Sequence, residues 1–223
     1  MNTPRKSCAG LRHARSAFSL IELVVVLAIF SILAAIGYSV VQSNGTHARK
    51  ASTDRISALL EQARTTAITQ RTKIVLAIAE PGDLPVDDGK CRIGLFKIPD
   101  WQDGATSVEG VLLRRWMPLD QGIVLIGGNV EGLRNVMDEQ QITITYAAGN
   151  RALSTTVQAV AFNPRGGLAW PTGSDPITMR IAEGGYRGPG SRPIPNKSAE
   201  THTIPENRLK IGRVLGRAYR FDK

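Results

Sequence analysis

The chain is poor in aromatics, at 5% of its 223 residues, and has only two cysteines and three histidines. Scarce aromatics beside 22 glycines and 12 prolines disfavour a helical bundle and favour short strands joined by many turns. His13, His47 and His202 are too scattered to suggest a metal site. Cys8 and Cys91 would leave one thiol and no internal disulfide if an N-terminal leader is removed. No apolar run precedes Cys8, so it does not read as a lipid-anchor cysteine. No G-x-S-x-G or other triad signature is present, and the glycines around Gly127 lack the Lys-Ser/Thr of a phosphate loop. Asp83, Asp87 and Asp88 could offer oxygens to calcium, but no spaced ligand pattern follows them, so they read as a solvated turn. The sequence gives no basis for an enzyme, and neither a cofactor nor a metal is expected.

Acid is missing from residues 1–17, MNTPRKSCAGLRHARSA, which hold Arg5, Lys6, Arg12 and Arg15. Proline is missing from the next stretch, FSLIELVVVLAIFSILAAIGYSVV, Phe18 to Val41, which carries a single charge, Glu22. As a helix this stretch would be about 36 Å long, enough for a hydrocarbon core of about 30 Å. The basic stub should stay on the cytoplasmic side and the C-terminal bulk should be exported. A secretory signal peptide would have a shorter apolar run of about 7–15 residues and a small-residue cleavage site. A plain anchor explains length and charge bias but leaves Glu22 unexplained. A carboxylate in an apolar helix costs about 2.5–3.5 kcal/mol at mid-membrane on insertion scales, and so asks for a partner.

The run Ala17-Phe18-Ser19-Leu20-Ile21-Glu22-Leu23-Val24-Val25-Val26 resembles the prepilin processing motif of type IV pilins and type II secretion pseudopilins. The resemblance implies cleavage by a membrane aspartyl peptidase between Ala17 and Phe18, then methylation of the new Phe18 amine. It implies that Glu22 pairs with the N-terminal amine of a neighbouring subunit, each charge offsetting the other's desolvation. Ala17 stands where the family usually has Gly. Gly37-Tyr38-Ser39 stands where many members have a helix-breaking Pro.

Beyond the apolar run, Ile56, Leu59, Leu60, Ala63, Ala67 and Ile68 mark one face of a helix across Thr46–Lys73. Asn44-Gly45 is the weak point between this helix and the apolar one. The period then changes. Lys73–Ala79, Cys91–Ile98, Val111–Met117, Gly122–Ile126, Gln141–Ala147, Thr156–Phe162, Ile177–Ala182 and Arg208–Leu215 are short runs rich in Val, Ile, Leu and Thr, separated by turn clusters. Helix first and strands afterwards predicts an α+β fold, a long N-terminal helix packed on antiparallel sheet. The expected division is a leader at 1–17, a transmembrane assembly helix at 18–43 and an exported domain at 44–223. Residues 184–207, with several prolines and few apolar side chains, are expected to form a flexible loop.

Three downstream stretches resemble the H-type minor pseudopilins and the related FimT-like minor pilins. They are Leu59 to Ile68 with the β run from Ile74, Ala161-Phe162-Asn163-Pro164-Arg165-Gly166-Gly167, and Arg208-Leu209-Lys210-Ile211 ending in Gly216-Arg217. The resemblance implies a minor subunit near a filament tip. Its partners would be other pilin subunits, prepilin peptidase, the inner membrane and secreted cargo. The tail is basic, with nine Lys/Arg against three Asp/Glu from Arg187 to Lys223. Some FimT-like pilins bind DNA through a Gly-Arg-x-Arg tail. Here Gly216-Arg217-Ala218-Tyr219-Arg220 is one residue longer, so a strand would send Arg217 and Arg220 to opposite faces. Arg213, Arg217 and Arg220 are therefore the candidates of a second, DNA-binding reading, against solubilising charge on a sheet edge. A third reading is a stand-alone membrane-anchored β domain.

Overall fold

A computed structural model describes residues 20–86, 88–199 and 201–221, and for residues 34–45 the backbone alone. Two compact units divide the chain, Met1–Ser43 and Asn44–Lys223. The first contains the start of helix α1, Leu20–Gln70.

In the second unit, α1 presents Ile56, Leu59, Leu60, Ala63 and Ala67 to the core, as their spacing requires. Ile68 departs from that expectation. It sits at the edge of the stripe and is exposed. The helix ends where Arg71 turns left-handed, φ 50°, and the Thr72 amide donates to Ala67 O at 3.2 Å. That six-to-one bond closes a Schellman-type cap without the usual glycine.

Strands β1 (Lys73–Ala79), β2 (Arg92–Ile98), β3 (Ser107–Pro118), β4 (Ile123–Ile126), β5 (Arg134–Asn135) and β6 (Ile142–Ala148) follow in order. Then come β7 (Arg151–Phe162), β8 (Leu168–Trp170), β9 (Ile177–Gly185), β10 (Ile194–Pro195), β11 (Glu206–Ile211) and β12 (Ala218–Arg220). The strands β1, β2, β3, β6 and β7 pair in sequence, and β7 pairs back onto β1, so the sheet closes into a barrel. In the second sheet β9 pairs with β4, β5, β10 and β11, and β11 pairs with β12.

The expectation of purely antiparallel sheet is corrected at two places. β3 pairs β6 in parallel, and β5 pairs β9 in parallel. Alternation of side chains is the same in both kinds of ladder, so the residue pattern carried no information on direction. The run Arg208–Leu215 is also not one strand. It stops at Ile211, turns through 212–217 and returns as β12.

The segment 184–207, expected as a flexible loop, carries structure of its own. Ile194 and Pro195 pair with Gly185 and Gly184, and the Asn196 amide donates to Glu183 O at 2.7 Å. The Gly190 amide donates to Pro81 O at 2.7 Å. The Gly190–Pro81 bond joins segments far apart in sequence, which composition alone does not reveal.

β1 is buried along both faces, which explains its unbroken apolar run. Ile74, Leu76 and Ile78 face the core shared with α1 and the second sheet. Val75, Ala77 and Ala79 fill the barrel interior with Phe96, Ile144 and Val157. There the Phe96 ring meets Trp116 and Tyr146 edge-on, at 5.4 and 5.1 Å between centroids. Polar bonds fix α1 to the second sheet. Arg49 pairs with Glu183 at 2.8 Å and also donates to Pro205 O. Buried Asn207 donates to Thr53 Oγ1 at 3.0 Å.

Candidate functional site

The candidate residues fall into two groups, one at each end of the chain. Ala17, Phe18 and the leader at 1–17 lie outside the described residues. Glu22 lies in the first described turn of α1. Around it, every side chain from Leu20 to Leu33 is exposed. Leu20 is 83% exposed, Phe30 66% and even Val26 46%. A helix that is apolar all round is stable only when its whole circumference is covered, by lipid or by other protein. Ser31 does not break the character of the surface, because its hydroxyl donates to Leu27 O at 2.8 Å within the helix. Glu22 is thus the lone charge on a greasy rod. Among the described residues no helix is both long and apolar enough to cross a membrane. Within the apolar run, which continues to Val41, side chains are described for Leu20 to Leu33.

At the other end, the three stretches that carry the downstream resemblance meet in space. Asn163 organises the turn after β7. Its Oδ1 accepts from the amides of Arg165 at 2.9 Å and Gly167 at 3.1 Å. Its own amide donates to Gly167 O at 2.9 Å. The turn between β11 and β12 lies directly against it, with the Leu168 amide donating to Arg213 O at 2.9 Å. Gly216, at φ 61°, touches Gly166 O and the Phe162 ring so closely that a Cβ there would overlap the carbonyl. The helix completes the junction. Arg64 Nε donates to Leu215 O at 2.6 Å, and Ile68 packs on Gly166. Phe162, Gly166 and Gly216 are therefore one structural unit, which no single stretch of sequence reveals.

The tail arginines flank this junction in different settings. Arg213 points inward, bound to the carbonyls of Pro171 and Asp175. Burial, followed by the nearby Arg134 charge, lowers its pKa from the ordinary guanidinium value. Arg217 is exposed in the turn before β12. Arg220 stands opposite Leu209 in the hairpin and lies 3.8 Å from Asp54 of α1. Tyr219, opposite Lys210, occupies the other face. The three arginines thus differ in exposure and in partners.

Cys91 is buried, and desolvation raises its thiol pKa well above the ordinary value, so it is an inert packing residue. Of the acidic turn, Asp83 accepts from the Glu80 amide at 2.7 Å, and Asp87 lies outside the described residues. Among the described residues no three His, Cys, Asp or Glu side chains are grouped to hold a metal.

Comparison with known families gives two matches. The prokaryotic N-terminal methylation motif matches residues 12–38, and type II transport protein GspH matches residues 52–194, more than half of the chain. The β11–β12 hairpin lies beyond the second match. A search of the curated proteins found no match. Among solved structures, the type IV minor pilin FimU of Pseudomonas aeruginosa strain PAO1 is 15% identical. That alignment covers 78% of this chain and 88% of that chain with a TM-score of 0.34, a similarity too low to carry an argument. With its α+β domain preceded by the methylation motif, the chain belongs to the GspH family of type II transport proteins.

Proposed function

We propose that this protein is a minor subunit of a type II secretion pseudopilus or a type IV pilus. It is cut between Ala17 and Phe18 by prepilin peptidase, methylated on Phe18, and carried into the filament by its N-terminal helix. Before assembly the helix is anchored in the inner membrane, with the basic stub in the cytoplasm and the domain 44–223 outside it. In the filament the subunit sits near the tip, where its domain meets other minor subunits or cargo. It works as a structural part, with no catalysis of its own.

The observation that supports this best is the helix from Leu20 to Leu33, exposed on all sides, with Glu22 as its one charge. Lipid covers such a surface before assembly, and packed helices of other subunits cover it afterwards. A carboxylate there is offset by the amine that cleavage creates on a neighbour. The experiment is Glu22→Ala in cells with active prepilin peptidase. Mass spectrometry should show a chain beginning at methylated Phe18, still membrane-bound but absent from sheared filaments. Normal incorporation of the variant, or a wild-type chain that keeps its leader, would overturn the proposal.

A further inference from the structure

A cavity of about 710 Å³ in the domain has no part in the assembly reading. Its apolar lining is Leu125, Ile126 and Ile204, and Ile126 and Ile204 belong to a small apolar cluster with Val124 and Ala182. Pro193 and Pro195, and Met137 and Asp138 of the short 3-10 helix after β5, also line it. The cavity is of a size that takes a ligand of several residues and is wider than one side chain needs.

Its polar lining carries both signs, with Arg180 and Arg192 beside the carboxylates. Gln158, on β7, is only 8% exposed. Its Nε2 donates to Met137 O at 3.1 Å, which fixes the orientation of the amide, and its Oε1 has no partner. A buried acceptor left unpaired is costly, and a native fold that keeps one calls for an explanation. Three carboxylates share the lining, Glu80, Asp138 and Glu139. Glu80 accepts from Tyr186 Oη at 3.2 Å, and Asp138 accepts from the Gly128 amide at 2.6 Å. Neither has an ion-pair partner among the described residues, whereas the other inner charges are already matched. Arg180 pairs with Glu206 at 2.6 Å and Glu139 with Arg134 at 3.2 Å. Arg192 is exposed at the rim, where solvent screens it.

The geometry points to this cavity as a socket for a cationic side chain, an arginine or lysine carried on a short segment of a partner polypeptide. Two carboxylates without a cation, Glu80 and Asp138, and one amide oxygen without a donor, on Gln158, call for a group that brings several N–H bonds and a positive charge. A guanidinium fork does this best. The apolar lining and the prolines suit the residues on either side of it, and favour a polypeptide over a free amine. Desolvation of Glu80, which already raises its pKa, makes the arrival of a counter-charge more favourable there.

The test uses the full chain in detergent micelles and a fluorescein-labelled pentapeptide, Gly-Ala-Arg-Ala-Gly, read by fluorescence polarisation. Saturable binding is expected. The same peptide with citrulline, equal in shape but uncharged, should bind about tenfold more weakly, the weight of one charge-assisted hydrogen bond. Gln158→Leu and Glu80→Gln should each weaken binding several-fold, with circular dichroism confirming that the fold is intact. Arg192→Ala, on the surface and harmless to folding, should tighten it. The inference is overturned by absence of saturable binding, by equal binding of the citrulline peptide, or by weaker binding to Arg192→Ala, which would mark an anionic ligand. Displacement by spermidine at lower concentration than by the peptide would overturn the polypeptide source.

Discussion

The junction of the helix end, the turn after β7 and the β11–β12 turn makes a sharp prediction about Gly216. Two separate penalties act on Gly216→Ala. The first is conformational. Gly216 has φ 61°, and an L-residue in the left-handed region costs about 1–2 kcal/mol. The second is steric. The new methyl group would overlap Gly166 O and press on Phe162, and both neighbours are held, one by the Asn163 turn and one by the core. Overpacking of this kind adds about 1–3 kcal/mol. Gly149→Ala separates the two terms. Gly149 has φ 63° but nothing within 4 Å of its would-be Cβ, so only the first penalty applies. For a chain of this length 1 kcal/mol moves Tm by about 2–4 °C. Gly149→Ala should therefore lower Tm by roughly 2–8 °C and Gly216→Ala by roughly 4–20 °C on the same scale. The assay is thermal melting of the purified chain in detergent, followed by near-ultraviolet circular dichroism. If Gly216→Ala costs no more than Gly149→Ala, the reasoning that the three stretches interlock is refuted.

Further expectations are independent of that junction. Glu80 and Asp83 have pKa values raised by burial, so the stability they favour is present at low pH and is lost as pH rises through their folded pKa values. Glu80→Gln, which keeps an acceptor for Tyr186, should raise Tm at neutral pH. The gain should vanish below about pH 4, where the carboxylate is protonated in both states. A variant less stable than the parent at neutral pH would contradict this. The buried Asn207–Thr53 bond should show a coupling of about 1 kcal/mol in a double-mutant cycle of Asn207→Leu and Thr53→Val, measured by urea unfolding. A coupling near zero would mean that the bond does not fix β11 to α1. With Arg213 turned inward and Arg220 beside Asp54, gel retardation of a short DNA duplex should be absent at about 0.15 M salt. A salt-sensitive shift that disappears in Arg217→Ala would instead favour the DNA-uptake reading.

What the sequence determined by itself was local. The acid-free stub, the apolar run and Glu22 were legible because charge and hydropathy along a single helix need no knowledge of the rest of the chain. The stripe from Ile56 to Ala67 and the run Lys73–Ala79 were legible for the same reason, since each element's period is written in neighbouring residues. The tertiary structure decided which strands met. Closure of the barrel joins Ile74 to Phe162, and the parallel pairing joins Ser107 to Thr143. No local period encodes either choice. Arg213 looked like part of a basic tail until the turn at 212–217 aimed it at the carbonyls of Pro171 and Asp175. Gln158 gave no signal at all, because in sequence it is one polar residue in a strand, and only the packing around it buries its oxygen without a partner. The physical reason is common to all of these. Local spacing sets what each segment is, whereas distant packing and hydrogen bonding set where it goes and what it touches.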